Sequence, residues 1–121
     1  MIVDNAIYVG GQRTAEPESL RETYQAAHEQ RGVAWIGLYK PTEEEFASVA
    51  EEFGLHELAV EDALEAHQRP KIERYAQTLF VVLRAARYLD APEEVQFGEI
   101  HVFVVEDFVI TVRRRPWPRS A

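Results

Sequence analysis

The sequence predicts an α+β domain with an α/β/α layered arrangement, in which helices pack on the faces of one mixed parallel and antiparallel sheet. In the first half of the chain, β-rich runs alternate with segments of helical periodicity, as in parallel crossover connections. In the second half, at least three β-rich runs follow one another, as in an antiparallel meander. A chain of 121 residues is long enough for one such domain and too short to predict two.

The first predicted elements are a strand and a helix. Residues 2–9 are β-branched and aromatic and are followed by Gly10-Gly11, which predicts a strand closed by a turn. For the helix that follows, Pro17 suits the first position, where a missing N–H costs nothing. Gly32 is predicted to end this helix in the left-handed conformation.

A buried strand and a well-marked helix come next. Residues 33–39 are too apolar and too short for a surface helix, so they predict a strand, with Trp35 in the core. Thr42 and Glu45 have the Thr-x-x-Glu spacing of a capping box, which predicts the start of the second helix. Gly54 is predicted to stop it.

The rest of the chain predicts one more helix and then strands. The third helix is predicted from about His56 to about Glu65, and Pro70 forces the chain out of helical conformation. Glu106-Asp107 has the spacing of a tight hairpin turn. The predicted strands of this half are 71–75, 78–89, 97–105 and 108–112.

Composition excludes several classes of function. The formal net charge of -8 disfavours an extended nucleic-acid interface, which needs clustered Lys and Arg. The chain has no cysteine, so disulfides and thiolate chemistry are excluded. The N-terminus shows no signal-peptide pattern. The longest central apolar run, 79–83, is far short of the roughly 20 residues that a membrane-spanning helix needs.

The third helix is unusual for its carboxylates. At about 100° per residue they fan across an arc of about 140° on one side. Three of them follow one another at i, i+4 spacing, where like charges repel by roughly 0.2–0.5 kcal/mol per pair. The acidic side comprises Glu57, Glu61, Asp62 and Glu65, and the predicted apolar side comprises Ala59, Val60, Ala63, Leu64 and His67.

Two interpretations of this acidic side are open. Spacing alone favours a solvated surface, because charged residues are almost always exposed. The alternative is a site for a hard cation, in which Glu61 and Asp62 offer oxygen ligands to Mg²⁺ or Ca²⁺. One helix supplies two or three oxygens at most, so such a site would need waters or a second chain.

Arg69 and Lys71, on either side of Pro70, also have two interpretations. The favoured one is a positively charged stop that complements the dipole of the third helix. The other is an ion pair that positions Glu61 or Asp62.

No catalytic constellation emerges from the remaining residues. His56-Glu57 begins a His-Glu-x-x-His zinc motif, but Val60 occupies the second ligand position. His67 and His101 are predicted to be packed or capping histidines rather than ligands. No nucleophile, base and orienting group can be assembled, so the chain is predicted not to be an enzyme and a small hydrolase is disfavoured.

The acidic helix and the segment after it contain Phe-Gly-Leu-His-x-Leu-x-x-Glu-Asp-Ala-Leu at 53–64 and His-Gln-Arg-Pro-Lys-Ile-Glu at 67–73. These motifs resemble the N-terminal cytoplasmic domain of CorA-type magnesium and divalent-cation transporters. Leu-Phe-Val-Val-Leu-Arg at 79–84 and Phe-Val-Ile-Thr-Val-Arg at 108–113 continue it. The Glu-Asp pair and the Gln-Arg-Pro-Lys run are specific only in combination.

The resemblance implies a pentameric transporter whose subunits carry this domain, a long stalk helix and two membrane helices. Residues 1–121 would form a single cytoplasmic regulatory domain, truncated before the stalk helix and the transmembrane segments. Weakly bound Mg²⁺, or Co²⁺, between adjacent subunits would hold the pore closed. Glu61 and Asp62 match the family's acidic pair, and the partner carboxylate would come from a neighbouring subunit. The pore signature Gly-Met-Asn is absent from this chain.

The same resemblance predicts partners and location. The full-length protein is expected to be a homopentamer on the cytoplasmic side of the cell membrane, and the isolated domain a soluble monomer or weak oligomer. Contact with the membrane is expected only through the missing C-terminal part, and no nucleic acid is expected. Two alternatives are a member of the zinc-transporting branch of the same superfamily and a stand-alone α/β module whose acidic helix binds a basic partner.

Overall fold

Seven strands and three helices make up the described part of the chain, which is residues 1–65, 68–89 and 94–113 of a computed structural model. The strands are β1 Ile2–Val9, β2 Gln12–Ala15, β3 Val33–Tyr39, β4 Lys71–Tyr75, β5 Thr78–Leu89, β6 Glu94–Val105 and β7 Phe108–Arg113. The helices are α1 Leu20–Gln30, α2 Glu43–Phe53 and α3 Glu57–Ala63.

The strands form one mixed sheet in the order β2-β1-β3-β7-β6-β5-β4. The pairing of β3 with β7 is parallel, and the other pairings are antiparallel. The predicted α+β class and mixed sheet are therefore confirmed. The predicted parallel crossover between the first two long strands is wrong, because β2 reverses the chain before α1 begins and β3 therefore runs antiparallel to β1.

One face of the sheet carries the core. Phe80, Phe103, Ile110 and Ile36 lie side by side on β5, β6, β7 and β3, and all four are fully buried. Their neighbours two positions along each strand are buried as well, because side chains alternate between the two faces of a strand. This alternation produces a continuous apolar surface that must be covered.

All three helices cover this same face. Tyr24 of α1 stacks on Phe108, with ring centroids 5.2 Å apart. Phe46 of α2 meets Phe103 edge-on, with ring centroids 5.6 Å apart. α3 contributes the buried Ala59 to the same core. In the described residues the sheet thus has one helical layer, on one face, and no second layer on the other.

The opposite face carries Trp35, Val109, Val104 and Leu79 in one row across four strands. No helix of the described ranges packs on it. Trp35 is 41% exposed, so its predicted place in the core is wrong. The apolar character of β3 as a whole hid the alternation, which assigns Trp35 and its neighbours Ala34 and Ile36 to different faces.

The ends of α1 differ from the prediction by one or two residues. Ser19 caps the N-terminus, so Pro17 lies outside the helix. Arg31, with φ 52°, is the left-handed residue, and Gly32 follows it. A Cβ atom on Gly32 would lie 2.7 Å from the carbonyl oxygen of Tyr8. This glycine is therefore required by the close approach of β1 rather than by its own φ.

The predicted start and end of α2 are confirmed. The Thr42 hydroxyl accepts a hydrogen bond from the Glu45 amide at 3.0 Å, and the Glu45 carboxylate accepts one from the Thr42 amide at 3.0 Å. Gly54 ends the helix with φ 66°. This reciprocal capping box satisfies two of the amide groups that every helix leaves without a partner at its N-terminus.

We expect Thr42→Ala to lower the free energy of unfolding by about 1 kcal/mol, because it removes one half of the capping box. The matched control is Ser48→Ala, which makes the same kind of change at an exposed position in the middle of α2. We expect the control to be neutral or slightly stabilising. Urea denaturation of both variants measures the difference, and equal losses would contradict the assignment.

Candidate functional site

The candidate site is built where α3 meets the edge of the sheet. α3 begins at its N-cap His56, whose Nδ1 accepts a hydrogen bond from the Leu58 amide at 3.1 Å. The residues that face the sheet, Ala59 and Ala63, are small and fully buried. Small side chains allow the helix to approach the sheet closely, so side chains next to them on the helix can reach β4.

Asp62 is the side chain that reaches β4. Its Oδ2 and Oδ1 lie 2.7 Å and 2.9 Å from the Nζ atom of Lys71, and its Oδ2 accepts a hydrogen bond of 2.7 Å from the Tyr75 hydroxyl. The Asp62 side chain is 10% exposed and that of Lys71 is 28% exposed. Asp62 therefore lies in a polar contact between α3 and β4 and not on the solvated side of the helix. We call Asp62, Lys71, Glu73 and Tyr75 the α3–β4 cluster.

The contacts within the α3–β4 cluster favour the ionised forms of both Asp62 and Lys71. Burial disfavours the ionised form of Asp62, but the hydrogen bonds from Lys71 and Tyr75 outweigh it and hold the pKa of Asp62 below its ordinary value of 3.8. The hydrogen bond to Asp62 raises the pKa of Lys71 above its ordinary value of 10.5. Hydrogen bonds to Glu73 and Asp62 raise the pKa of the Tyr75 hydroxyl, which keeps its proton.

These shifts predict how stability depends on pH. The folded-state pKa of Asp62 is lowered, so its contribution is present above about pH 4 and is lost as pH falls through the folded-state pKa. We therefore expect the difference in free energy of unfolding between the unmodified protein and Asp62→Asn to be larger at pH 7 than at pH 3. Denaturation of both proteins at the two pH values measures it, and a difference that does not change with pH would contradict the pairing.

Glu61 occupies a different environment from its neighbour. It is exposed, and together with Glu57 it lines a groove between α2 and α3 that also includes Glu51 and the apolar side chains of Leu55 and Val60. The two members of the predicted acidic pair therefore point in different directions. Glu61 offers a carboxylate to solvent or to another chain, whereas Asp62 faces its own sheet.

The predicted division of α3 into two sides holds only in part. Glu57, Glu61 and Glu65 are exposed, as the solvated interpretation requires, but Asp62 is not. Leu64, predicted on the apolar side, is 57% exposed. The division assumed a regular helix to about residue 65, whereas α3 ends at Ala63. His67 lies outside the described residues.

Two residues of the segment after α3 contact Asp62, one at its backbone and one at its side chain. The Gln68 side-chain amide donates to the backbone carbonyl of Asp62, and Lys71 holds the carboxylate of the same residue. The Gln68 backbone amide donates to the Glu99 carboxylate at 3.1 Å. The Gln-Arg-Pro-Lys run therefore contributes directly to the placement of Asp62.

His101 is a packed histidine, as predicted. It is 4% exposed, its Nε2 lies 3.0 Å from the Glu99 carboxylate, and its ring meets Phe80 edge-on. Its Nδ1 has no hydrogen-bond partner within the part of the chain that the structure describes.

The ion pair between Lys71 and Asp62 corresponds to the less favoured of the two interpretations of Lys71. The dipole interpretation assumed that Lys71 directly follows the helix, whereas α3 ends eight positions before it and Lys71 begins β4. The participation of Tyr75 was not predicted. The alternation of side chains along β4 places residues 71, 73 and 75 on one face, and that period-two pattern was the available signal.

The fit of this site to a divalent cation is partial within a single chain. Among the described residues, no three His, Asp or Glu side chains converge as a metal-binding group. Carboxylate oxygens are the ligands that Mg²⁺ prefers, and the Asp62 carboxylate already contacts a cationic group. Glu61 and Asp62 therefore have suitable chemistry, but further ligands would have to come from water or another chain. Their role as ligands stays a prediction.

Comparison with known proteins identifies the family. Residues 30–120, three quarters of the chain, match the family described as CorA-like Mg²⁺ transporter protein. The chain belongs to the CorA-like Mg²⁺ transporter family. No helix in the described ranges of this CorA-like domain has both the length and the apolar character to cross a membrane.

Two curated relatives support this assignment. The CorA-like domain is 31% identical over 110 residues to the "Putative metal ion transporter YfjQ" of Bacillus subtilis, which covers 89% of this chain and 33% of that protein. It is 31% identical over 67 residues to the cobalt/magnesium transport protein CorA of Thermotoga maritima, which covers 55% of this chain and 19% of that protein. The chain thus spans a third or less of the length of these relatives.

Solved structures share the fold. The full-length CmaX protein superposes with a TM-score of 0.65 at 22% identity, over 95% of this chain and 35% of that one. The soluble domain of CorA from Methanocaldococcus jannaschii superposes with a TM-score of 0.59 at 15% identity, over 90% of this chain and 38% of that one. At these identities the similarity establishes the fold of the CorA-like domain and nothing further.

Proposed function

We propose that the CorA-like domain is the cation-sensing regulatory part of a transporter for Mg²⁺, and for Co²⁺. In this proposal, a divalent cation is bound weakly between the domains of adjacent subunits, with Glu61 and Asp62 as part of its ligand set. The complete protein is a homopentamer, and this domain lies on the cytoplasmic side of the membrane. The observation that supports the proposal is the Asp62 carboxylate, which already holds a cationic group, the Lys71 ammonium, at 2.7 Å and is adjacent in sequence to the exposed Glu61.

The electrostatics of such a switch are consistent with this chain. Two subunits that present acidic surfaces repel each other, and they attract each other when they share a divalent cation. The bound arrangement is favoured by the difference in cation affinity between the two states. Mg²⁺ gives up its water reluctantly, so a site with few carboxylates binds it weakly. Weak binding is what a sensor of an abundant cytosolic cation requires.

The nature of the ligands bears on which ion this domain binds. Glu61 and Asp62 offer only oxygen atoms, and the chain has no cysteine. Oxygen ligands suit Mg²⁺ better than Zn²⁺, which prefers histidine and thiolate ligands. We therefore favour Mg²⁺ over Zn²⁺ as the ion bound by this domain, and the zinc-transporting branch of the superfamily stays the alternative for the transported ion.

The test is the binding of Mg²⁺ and Co²⁺ to the complete assembled protein, measured by calorimetry, with and without the double substitution Glu61→Gln, Asp62→Asn. We expect the double variant to bind at least tenfold more weakly. The matched control is Glu57→Gln, Glu65→Gln, which removes the same charge from two exposed positions, the first residue of α3 and the second residue after its end. Equal affinity in the unmodified protein and the Glu61, Asp62 variant would eliminate these residues as ligands.

The groove between α2 and α3 supports a second candidate function, in which this domain binds a basic partner. Glu51, Glu57 and Glu61 line it together with the apolar Leu55 and Val60. A basic amphipathic segment would match both its charge and its apolar lining. Charge reversal by Glu51→Lys and Glu57→Lys would abolish binding of such a partner and would leave a cation site at Asp62 in place.

A further inference from the structure

In this structure the Asp62 carboxylate is paired with a cationic side chain of the same chain, that of Lys71. The Lys71 ammonium faces both carboxylate oxygens, at 2.7 Å and 2.9 Å. We propose that Lys71 is a built-in competitor of the divalent cation, so that binding at Asp62 requires displacement of the Lys71 ammonium. This inference rests on the proposed function. In this inference Lys71 sets the affinity of the site for the cation. It acts through Asp62 as a positioning residue and is not a ligand.

Displacement is feasible because the Lys71 ammonium has a second carboxylate within reach, that of Glu73. Its Nζ lies 3.6 Å from the Glu73 carboxylate, on the same strand and the same face, and 5.7 Å from the centroid of the Phe80 ring. The lysine stem is flexible, and the side chain is 28% exposed, so water reaches it. Rotation of the stem can move the ammonium from Asp62 toward Glu73, and the divalent cation then takes its place as the counter-charge of the Asp62 carboxylate.

Tyr75 makes the two oxygens of Asp62 inequivalent. Its hydroxyl donates to Oδ2 of Asp62 at 2.7 Å and lies 2.6 Å from the Glu73 carboxylate. A hydroxyl has one proton, so it serves one carboxylate at a time. Oδ1 of Asp62 accepts only from Lys71 within the described ranges. When the ammonium moves to Glu73, Tyr75 keeps Oδ2 and Oδ1 becomes available.

The competition has a consequence for the concentration range of the sensor. The Lys71 ammonium is part of the chain, so its local concentration at Asp62 is fixed. The divalent cation comes from solution and displaces the ammonium only above a certain concentration. Lys71 therefore lowers the apparent cation affinity in proportion to the fraction of molecules in which Asp62 is free of the ammonium, so the smaller that fraction is, the weaker the apparent binding. Removal of Lys71 strengthens binding, and removal of its alternative partner Glu73 weakens binding.

The experiment compares four single variants by Mg²⁺ titration calorimetry of the complete assembled protein. We expect Lys71→Met to lower the dissociation constant by about tenfold, which corresponds to about 1.4 kcal/mol. We expect Glu73→Gln to raise it several-fold, because the ammonium then stays on Asp62. Arg74→Met is the matched control, since it removes the same charge from the same strand on the opposite face and should change little. Asp62→Asn should weaken binding.

The outcomes separate the two proposals. If Asp62→Asn leaves the dissociation constant unchanged, the proposed function fails and this inference fails with it. If Asp62→Asn weakens binding while Lys71→Met weakens it or leaves it unchanged, only the inference is overturned. Should Lys71→Met not fold, Glu73→Gln decides, because its side chain is 47% exposed and the change is isosteric. Unchanged or tighter binding in Glu73→Gln then overturns the inference.

Discussion

Phe103→Ala is expected to lower the free energy of unfolding by about 3–5 kcal/mol, the largest effect of any substitution considered for this CorA-like domain. Phe103 is fully buried near the C-terminal end of β6. Its ring stacks on Phe80 with centroids 5.0 Å apart and meets Phe46 of α2 at 5.6 Å. Truncation leaves a cavity between sheet and helix that the flanking rings cannot close. Urea denaturation followed by circular dichroism measures the loss.

The matched control for Phe103→Ala is Val104→Ala. Val104 is the next residue of the same strand, but it points to the face that no described helix covers and is only partly buried. Its truncation is expected to cost less than about 1.5 kcal/mol, since less apolar surface is lost from a site that solvent already reaches. Comparable losses for the two variants would mean that both faces of the sheet are covered equally in solution.

Asp62→Ala is expected to lower the free energy of unfolding by about 2–3 kcal/mol, because it removes hydrogen bonds between charged or polar groups from a site that is largely shielded from water. It leaves Lys71 with the more distant Glu73, at 3.6 Å, and Tyr75 with Glu73 alone. The expected loss is therefore larger than that of an ordinary surface substitution. Urea denaturation at pH 7 measures it.

The neighbouring carboxylate supplies the control. Glu61→Ala removes the same charge one residue earlier on α3, from an exposed side chain, and is expected to change the free energy of unfolding by no more than about 0.5 kcal/mol. A loss for Glu61→Ala as large as that for Asp62→Ala would contradict the geometry of the α3–β4 cluster. The comparison separates a structural role from the proposed role in cation binding, which involves both residues.

Local patterns predicted much of the fold. The capping box of Thr42 and Glu45 and the left-handed Gly54 marked α2 correctly, because both signals depend on hydrogen bonds and backbone angles within a few residues. The runs that became β3, β5 and β7 were predicted within a residue or two, and the hairpin turn at Glu106-Asp107 was confirmed.

The pairing of strands was less accessible, because it depends on contacts between distant parts of the chain. β2 has four residues and only one apolar side chain among them, so it carried no β-rich signal of its own. Without β2, the direction of β3 relative to β1 was predicted wrongly. The parallel contact of β3 with β7 joins residues more than 70 positions apart, and no local pattern specifies it.

At the candidate site, the helical periodicity of α3 alone did not predict the environment of Asp62. Rotation by about 100° per residue placed Asp62 among solvated carboxylates. It could not include the partner strand, and Lys71 and Tyr75 of β4 draw Asp62 inward through an ion pair and a hydrogen bond. The family resemblance selected Glu61 and Asp62 as a pair, and the structure shows that only Asp62 is tied to its own domain.

The central position of β7 has a consequence for how this domain is made. β7 is the last strand of the described chain to leave the ribosome, yet it lies fourth of seven in the sheet, between β3 and β6. At about 5–20 residues per second, β1 therefore waits several seconds for the strand that joins the two halves. Until β7 is made, the edge of β3 that it covers has no partner strand, and an unpaired apolar edge of this kind is a site of aggregation when it is unprotected.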